Sequence, residues 1–154
     1  MTTALAPAAA LPPCSPDDLA LAMAMRERVD ELPQIDIPTE HFFHAGEYVR
    51  TCLVPAGVVL CGAVIKIPTV VIVSGHCFMQ VGAETKEIDG YRVLRGAAGC
   101  AQTFRAVTDT YITMSFATTA ESLEAAEQFD PTDPLAVSIE ALTGGVFGAG
   151  TLLS

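Results

Sequence analysis

An all-β domain is what this sequence predicts, on three observations. Short runs rich in Val, Ile, Phe, Tyr and Thr recur at Val58 to Ile67, Thr69 to Ser74, Cys77 to Val81, Tyr91 to Leu94, Thr103 to Val107 and Tyr111 to Phe116. Between them stand Gly57, Gly62, Gly75, Gly82, Gly90, Gly96 and Gly99, which suit tight turns, and Pro68, which cannot donate to a sheet ladder. No helix-length apolar period lies between the runs, so the crossovers of a parallel sheet have nothing to be built from. An antiparallel barrel or sandwich follows.

Three regions are expected: an arm and helix over 1–38, the barrel over 39–118, and a tail over 119–154. Prolines at 7, 12, 13 and 16 favour an extended start. Ser15-Pro16-Asp17-Asp18 then supplies a cap, a proline for the first helical position and acids at the positive helix end, predicting a helix from about 16 to 31. Leu32 to Pro38 is an extended linker, because each proline pushes its predecessor out of the helical region. Thr118-Thr119-Ala120-Glu121 has the capping-box pattern of a short helix to about Phe129, and Asp133-Pro134 starts another to about Leu142. The segment Thr143 to Ser154 is apolar and glycine-rich, costly to leave free in water, and is expected to dock on its own barrel or on a neighbouring subunit.

Net charge is −10, divided as −4, 0 and −6 over the three regions. A neutral barrel between acidic extensions, with no basic stripe, is a poor nucleic-acid binder. Apolar stretches fall short of the roughly 20 residues that cross a bilayer, so a soluble protein is expected. The five cysteines, Cys14, Cys52, Cys61, Cys77 and Cys100, show no CxxC pair and no zinc spacing. They read as buried small hydrophobes in a reducing compartment, without a disulfide framework.

Candidate chemistry is sparse. His41, His44 and Glu47 form the one cluster with metal-like composition, but Phe42, Phe43, Gly46 and Tyr48 suggest a strand and turn, in which residues three apart face opposite ways. His76, next to Gly75, reads as an idle turn histidine. Lys66, Arg92, Arg95 and Arg105, with Gln102 and Tyr91, would either line an anion pocket or blunt sheet edges as outward residues. Neither a GxSxG elbow nor a phosphate-binding glycine loop occurs, so no nucleophile or catalytic residue is identified.

The order of several short motifs carries a resemblance. Thr39-Glu40-His41-Phe42-Phe43-His44-Ala45-Gly46-Glu47-Tyr48-Val49-Arg50, Val54-Pro55-Ala56-Gly57, Gly62-Ala63-Val64-Ile65-Lys66, Val73-Ser74-Gly75, Gly90 to Leu94, Ala97-Ala98-Gly99 and Asp109-Thr110 resemble a small cupin-like family of the RmlC jelly-roll type, often met in bacteriophage genomes. The similarity covers about residues 39–128, including the Glu124 and Glu127 region. It implies a cupin-like jelly-roll β-barrel. In cupins the strand after the Pro-x-Gly turn carries metal-binding histidines and a glutamate, and a later strand carries another histidine. Here the first positions hold Ile65, Ile67 and Thr69, and Gln102 to Val107 has no histidine, so the metal ligands look lost.

The expected function is therefore that of a non-enzymatic structural protein without metal or cofactor: a phage virion component, such as a capsid decoration or head-tail accessory protein. It would be made in the host cytoplasm and would contact other virion proteins and copies of itself as a homo-oligomer. Leu19, Met23, Met25, Val146, Phe147, Leu152 and Leu153 are the candidate contact residues. The alternatives are a small-molecule-binding or catalytic cupin, with His41, His44 and Glu47 recruited as ligands, and a phage-encoded regulator that binds a host protein.

Overall fold

The computed structural model describes residues 9–62, 67–118 and 148–151, the last four as backbone. Its spine is one long antiparallel hairpin, β5 (Thr69–Val81) and β6 (Glu84–Gly96), paired along its whole length. A two-residue turn with Gly82 at φ 59° joins the two strands. Halfway along, Gly75 and Gly90 face each other with φ of 145° and 104°, backbone that side chains resist. There the hairpin bends, and the other edge of β5 changes partner. Val70 to Ser74 pair with β8 (Thr110–Ala117), whereas Cys77 to Val81 pair with β7 (Gln102–Ala106).

Two sheets grow from this spine. In the first, β8 pairs with β3 (Glu47–Val54), β3 with β2 (Thr39–His44), and β6 takes the two-residue parallel strand β1 (Ala9–Ala10). In the second, β7 pairs with β4 (Val58–Cys61), and β4 with β9 (Gly148–Thr151). Inward residues of both sheets form one core, with Val54, Val71, Val73 and Ile112 from the first meeting Leu60, Met79, Val81 and Phe104 from the second. This is the expected jelly-roll. Among the described residues the ladder keeps free ends and the sheet is not closed.

The helix α1 (Pro16–Asp30) follows its sequence signal closely. Ser15 Oγ accepts from the Asp18 amide at 3.1 Å, Asp18 Oδ2 accepts from the Ser15 amide at 2.9 Å, and Pro16 occupies the first turn. Val29 buries against Val59 and Cys61, on the outer side of the second sheet. Beyond the helix, Ile35 and Ile37 of the extended linker pack against the core. No helix among the described residues is long and apolar enough to cross a membrane.

Four sequence expectations need correction or completion. The runs Thr69 to Ser74 and Cys77 to Val81 are one strand, because Gly75 bends β5 without breaking it. His76 is consequently a strand residue at the bend rather than part of a turn, and its Nε2 lies 3.1 Å from Glu87 Oε1. Cys14 and Cys100 form a disulfide across 86 residues, while Cys52, Cys61 and Cys77 are buried free thiols as expected. The tail docks in part on its own barrel, since Gly148–Thr151 extends the sheet at β4. The two helices expected after Thr118, to about Leu142, lie outside the described residues, as do Lys66, Val146, Phe147, Leu152 and Leu153.

Candidate functional site

Residues directly opposite one another in an antiparallel ladder share a face, so the register fixes what the first sheet presents outward. Three rows cross it. The first runs Tyr91, Ser74, Tyr111, Leu53; the second Val93, Ile72, Thr113, Thr51; the third Arg95, Val70, Ser115, Val49. Ala10 lies beyond Arg95 on β1 and Phe42 beyond Val49 on β2. Tyr91 is 56% exposed, Tyr111 54%, Phe42 50% and Val70 41%, so this apolar and hydroxyl-bearing surface is uncovered. Thr51 and Thr113 join hydroxyls at 2.9 Å, and the Ser115 hydroxyl donates to Glu47 Oε2 at 3.4 Å.

A groove of about 700 Å³ lies between α1 and the outer side of the second sheet. Arg28, Glu31 and Leu32 come from the helix end, and Phe78, Gln80 and Arg105 from the strands. The Arg105 guanidinium stacks 4.9 Å from the Phe78 ring centroid, holding a cation against an apolar wall. Met25 lines this groove, whereas Met23 stands 54% exposed and Leu19 half-buried on the same helix.

The concave side has a polar corner at β2 and β3. Arg50 is buried, its Nε donates to Tyr48 Oη at 2.8 Å, and His41 Nδ1 lies 3.4 Å from the same oxygen. Phe43 and Phe116 flank the Tyr48 ring. Burial pushes the Tyr48 phenol up in pKa, with the Arg50 charge pulling back. The Cys52 and Cys61 thiols are also raised by burial, and that of Cys77 reaches about 11.

The sequence candidates separate in space. His41 turns to Tyr48, while Glu47 faces the other way and meets Ser115. Arg105 is in the groove and Arg95 on the outer face, but Arg92 lies opposite the core residue Val73 with its Nε buried and without a hydrogen bond among the described residues. Gln102 is buried and Tyr91 exposed, so these groups line no common pocket. The described residues do not fit a metal on the concave side: Arg50 and Arg92 bring cations there, and no three His, Cys, Asp or Glu among them converge.

The outer face escaped the sequence reading, although Val70, Val71, Ile72 and Val73 carried its signal. A strand apolar at every position, not every second one, has both faces suited to burial.

A jelly-roll of two sheets sharing one core on a bent hairpin is the cupin-like fold. Solved structures with this likeness include the ectoine synthase of P. lautus, 15% identical over 79% of this chain and 81% of that one, with a TM-score of 0.52. A Photorhabdus luminescens protein is 9% identical over 64% and 90% of the two chains, with a TM-score of 0.50. A cupin superfamily protein of Desulfitobacterium hafniense is 9% identical over 56% and 82%, with a TM-score of 0.48. At such identities the likeness is one of fold. No protein-family model matches the sequence, and no curated protein matches it at the sequence level.

Proposed function

We propose that this chain is a non-enzymatic assembly protein, a component of a phage particle, in which the cupin-like jelly-roll is the scaffold and its surfaces make the contacts. The observation that carries this reading is the outer face of the first sheet, where Tyr91, Tyr111, Phe42 and Val70 stand exposed on a six-strand platform. Exposed aromatics on an ordered sheet are costly in water and useful against another protein. The motif order over 39–128 supplies the link to phage-encoded proteins. Mass spectrometry of purified particles tests it. The chain should be present in a fixed copy number relative to the major capsid protein, and its absence from particles would remove the reading.

A small-molecule-binding role is the second reading, favoured by the groove under α1, whose volume suits a drug-sized ligand and whose Arg28 and Arg105 suit an anion. Thermal shift against a panel of organic acids separates the two: a ligand response lost in Arg105→Ala would favour the groove.

A further inference from the structure

We propose that two copies of this chain pack the outer faces of their first sheets together about a two-fold axis running along the strands, between β5 and β8. The inference rests on the assembly reading for what the face is for, and names its partner as a second copy.

Such an axis exchanges β5 with β8, β6 with β3 and β1 with β2, and keeps each row at its own height. Tyr91 then lies over Leu53 of the second copy, Tyr111 over Ser74, Val93 over Thr51 and Phe42 over Ala10. Large side chains meet smaller ones, as interdigitating sheet faces require. Arg95 comes over Val49, one step along β3 from Glu47. Within one chain these two charges sit on strands three spacings apart, about 14 Å, so they have no contact to make with each other.

Charge also selects the axis. A two-fold lying across the strands would reverse the heights and set Arg95 against the Tyr91 row and Glu47 against the Leu53 end. Glu47 would then be buried on the apolar Leu53 without a cation to meet it, which is costly. The along-strand axis instead pairs them twice, once at each edge. The other charged side chains described on this face, Glu40 and His44, belong to the rim strand β2. The whole net charge of −10 falls in the two extensions, and Glu40, Glu47 and Arg95 leave this face close to neutral, so copies meet here without the repulsion their tails carry. The five longer strands of the face, spaced ~4.8 Å and each with about seven residues, outline roughly 600 Å². That is near the ~800 Å² per partner of a stable interface.

The test is sedimentation velocity of the full chain over a concentration series, with circular dichroism confirming that each variant is folded. A dimer is expected. Arg95→Glu and Glu47→Arg should each weaken it ~10-fold or more, and the double variant should restore it, because the reversed charges meet again across the axis. Tyr111→Lys should give a monomer. A monomeric wild type, a dimer indifferent to Tyr111→Lys, or a double variant no better than the singles each overturns the proposal. Failure here is distinct from failure of the assembly reading: a chain absent from particles yet dimeric in this way removes only the latter, and a chain present in particles yet monomeric removes only the former.

Discussion

A Cβ placed on Gly75 would lie 2.6 Å from the Thr110 hydroxyl oxygen, 2.8 Å from Thr110 Cα and 2.9 Å from the Asp109 carbonyl oxygen. Two of these are backbone atoms, at and just before the start of β8, and cannot swing aside as a side-chain end can. The φ of 145° adds strain for any L side chain. Gly90, its partner across the hairpin, has a positive φ but nothing within 4 Å of a built Cβ. Gly75→Ala is therefore expected to cost ~3 kcal/mol or more and Gly90→Ala only the backbone strain, ~1–2 kcal/mol. Urea unfolding of the two variants compares them directly, and equal losses would mean that β8 yields to the methyl group. The sequence showed these glycines as punctuation. It did not show that Gly75 marks a bend, because a turn and a bend ask the same conformational freedom of a residue.

At the scale of elements, α1 was legible and the β5–β6 hairpin was not. The helix start is encoded within four residues, Ser15 to Asp18, and every predicted contact forms among them. Ser15→Ala should cost ~1 kcal/mol, seen as a lower midpoint of thermal unfolding, whereas Ser15→Gly should cost only a few tenths. The carboxyl group of Asp18 also packs where a Cβ on Gly82 would sit, 2.7 Å away, so the capped end of the helix rests on the hairpin turn. The hairpin escaped because its length depends on pairing between Gly75 and Gly90, a relation between distant residues that no local window contains. The outer face suffered the same fate: Tyr91, Ser74, Tyr111 and Leu53 form a row only once three strand registers are known.

Over the whole molecule, the Cys14–Cys100 bond ties the segment before α1 to the loop after β6, across 86 residues. No spacing motif announces a pair so far apart, and composition alone pointed to free thiols. Closing a loop of this length corresponds to ~4–5 kcal/mol in the chain-entropy limit and ~2–4 kcal/mol in typical practice. Unfolding by urea with and without a reductant should show a loss in that range, and Cys14→Ser should reproduce it without reductant. No change in either would mean that Leu11, buried beside β6, holds the arm without covalent help.

The double pairing of β5 has a further consequence for how the molecule comes apart. Its Val70 to Ser74 half serves one sheet and its Cys77 to Val81 half the other, while β6 runs along both. Neither sheet can shed β5 without stripping the strand that organises its companion. Opening is thereby forced towards all-or-none behaviour, and native-state hydrogen exchange is expected to give the β5 amides on either side of Gly75 one common opening free energy, that of global unfolding.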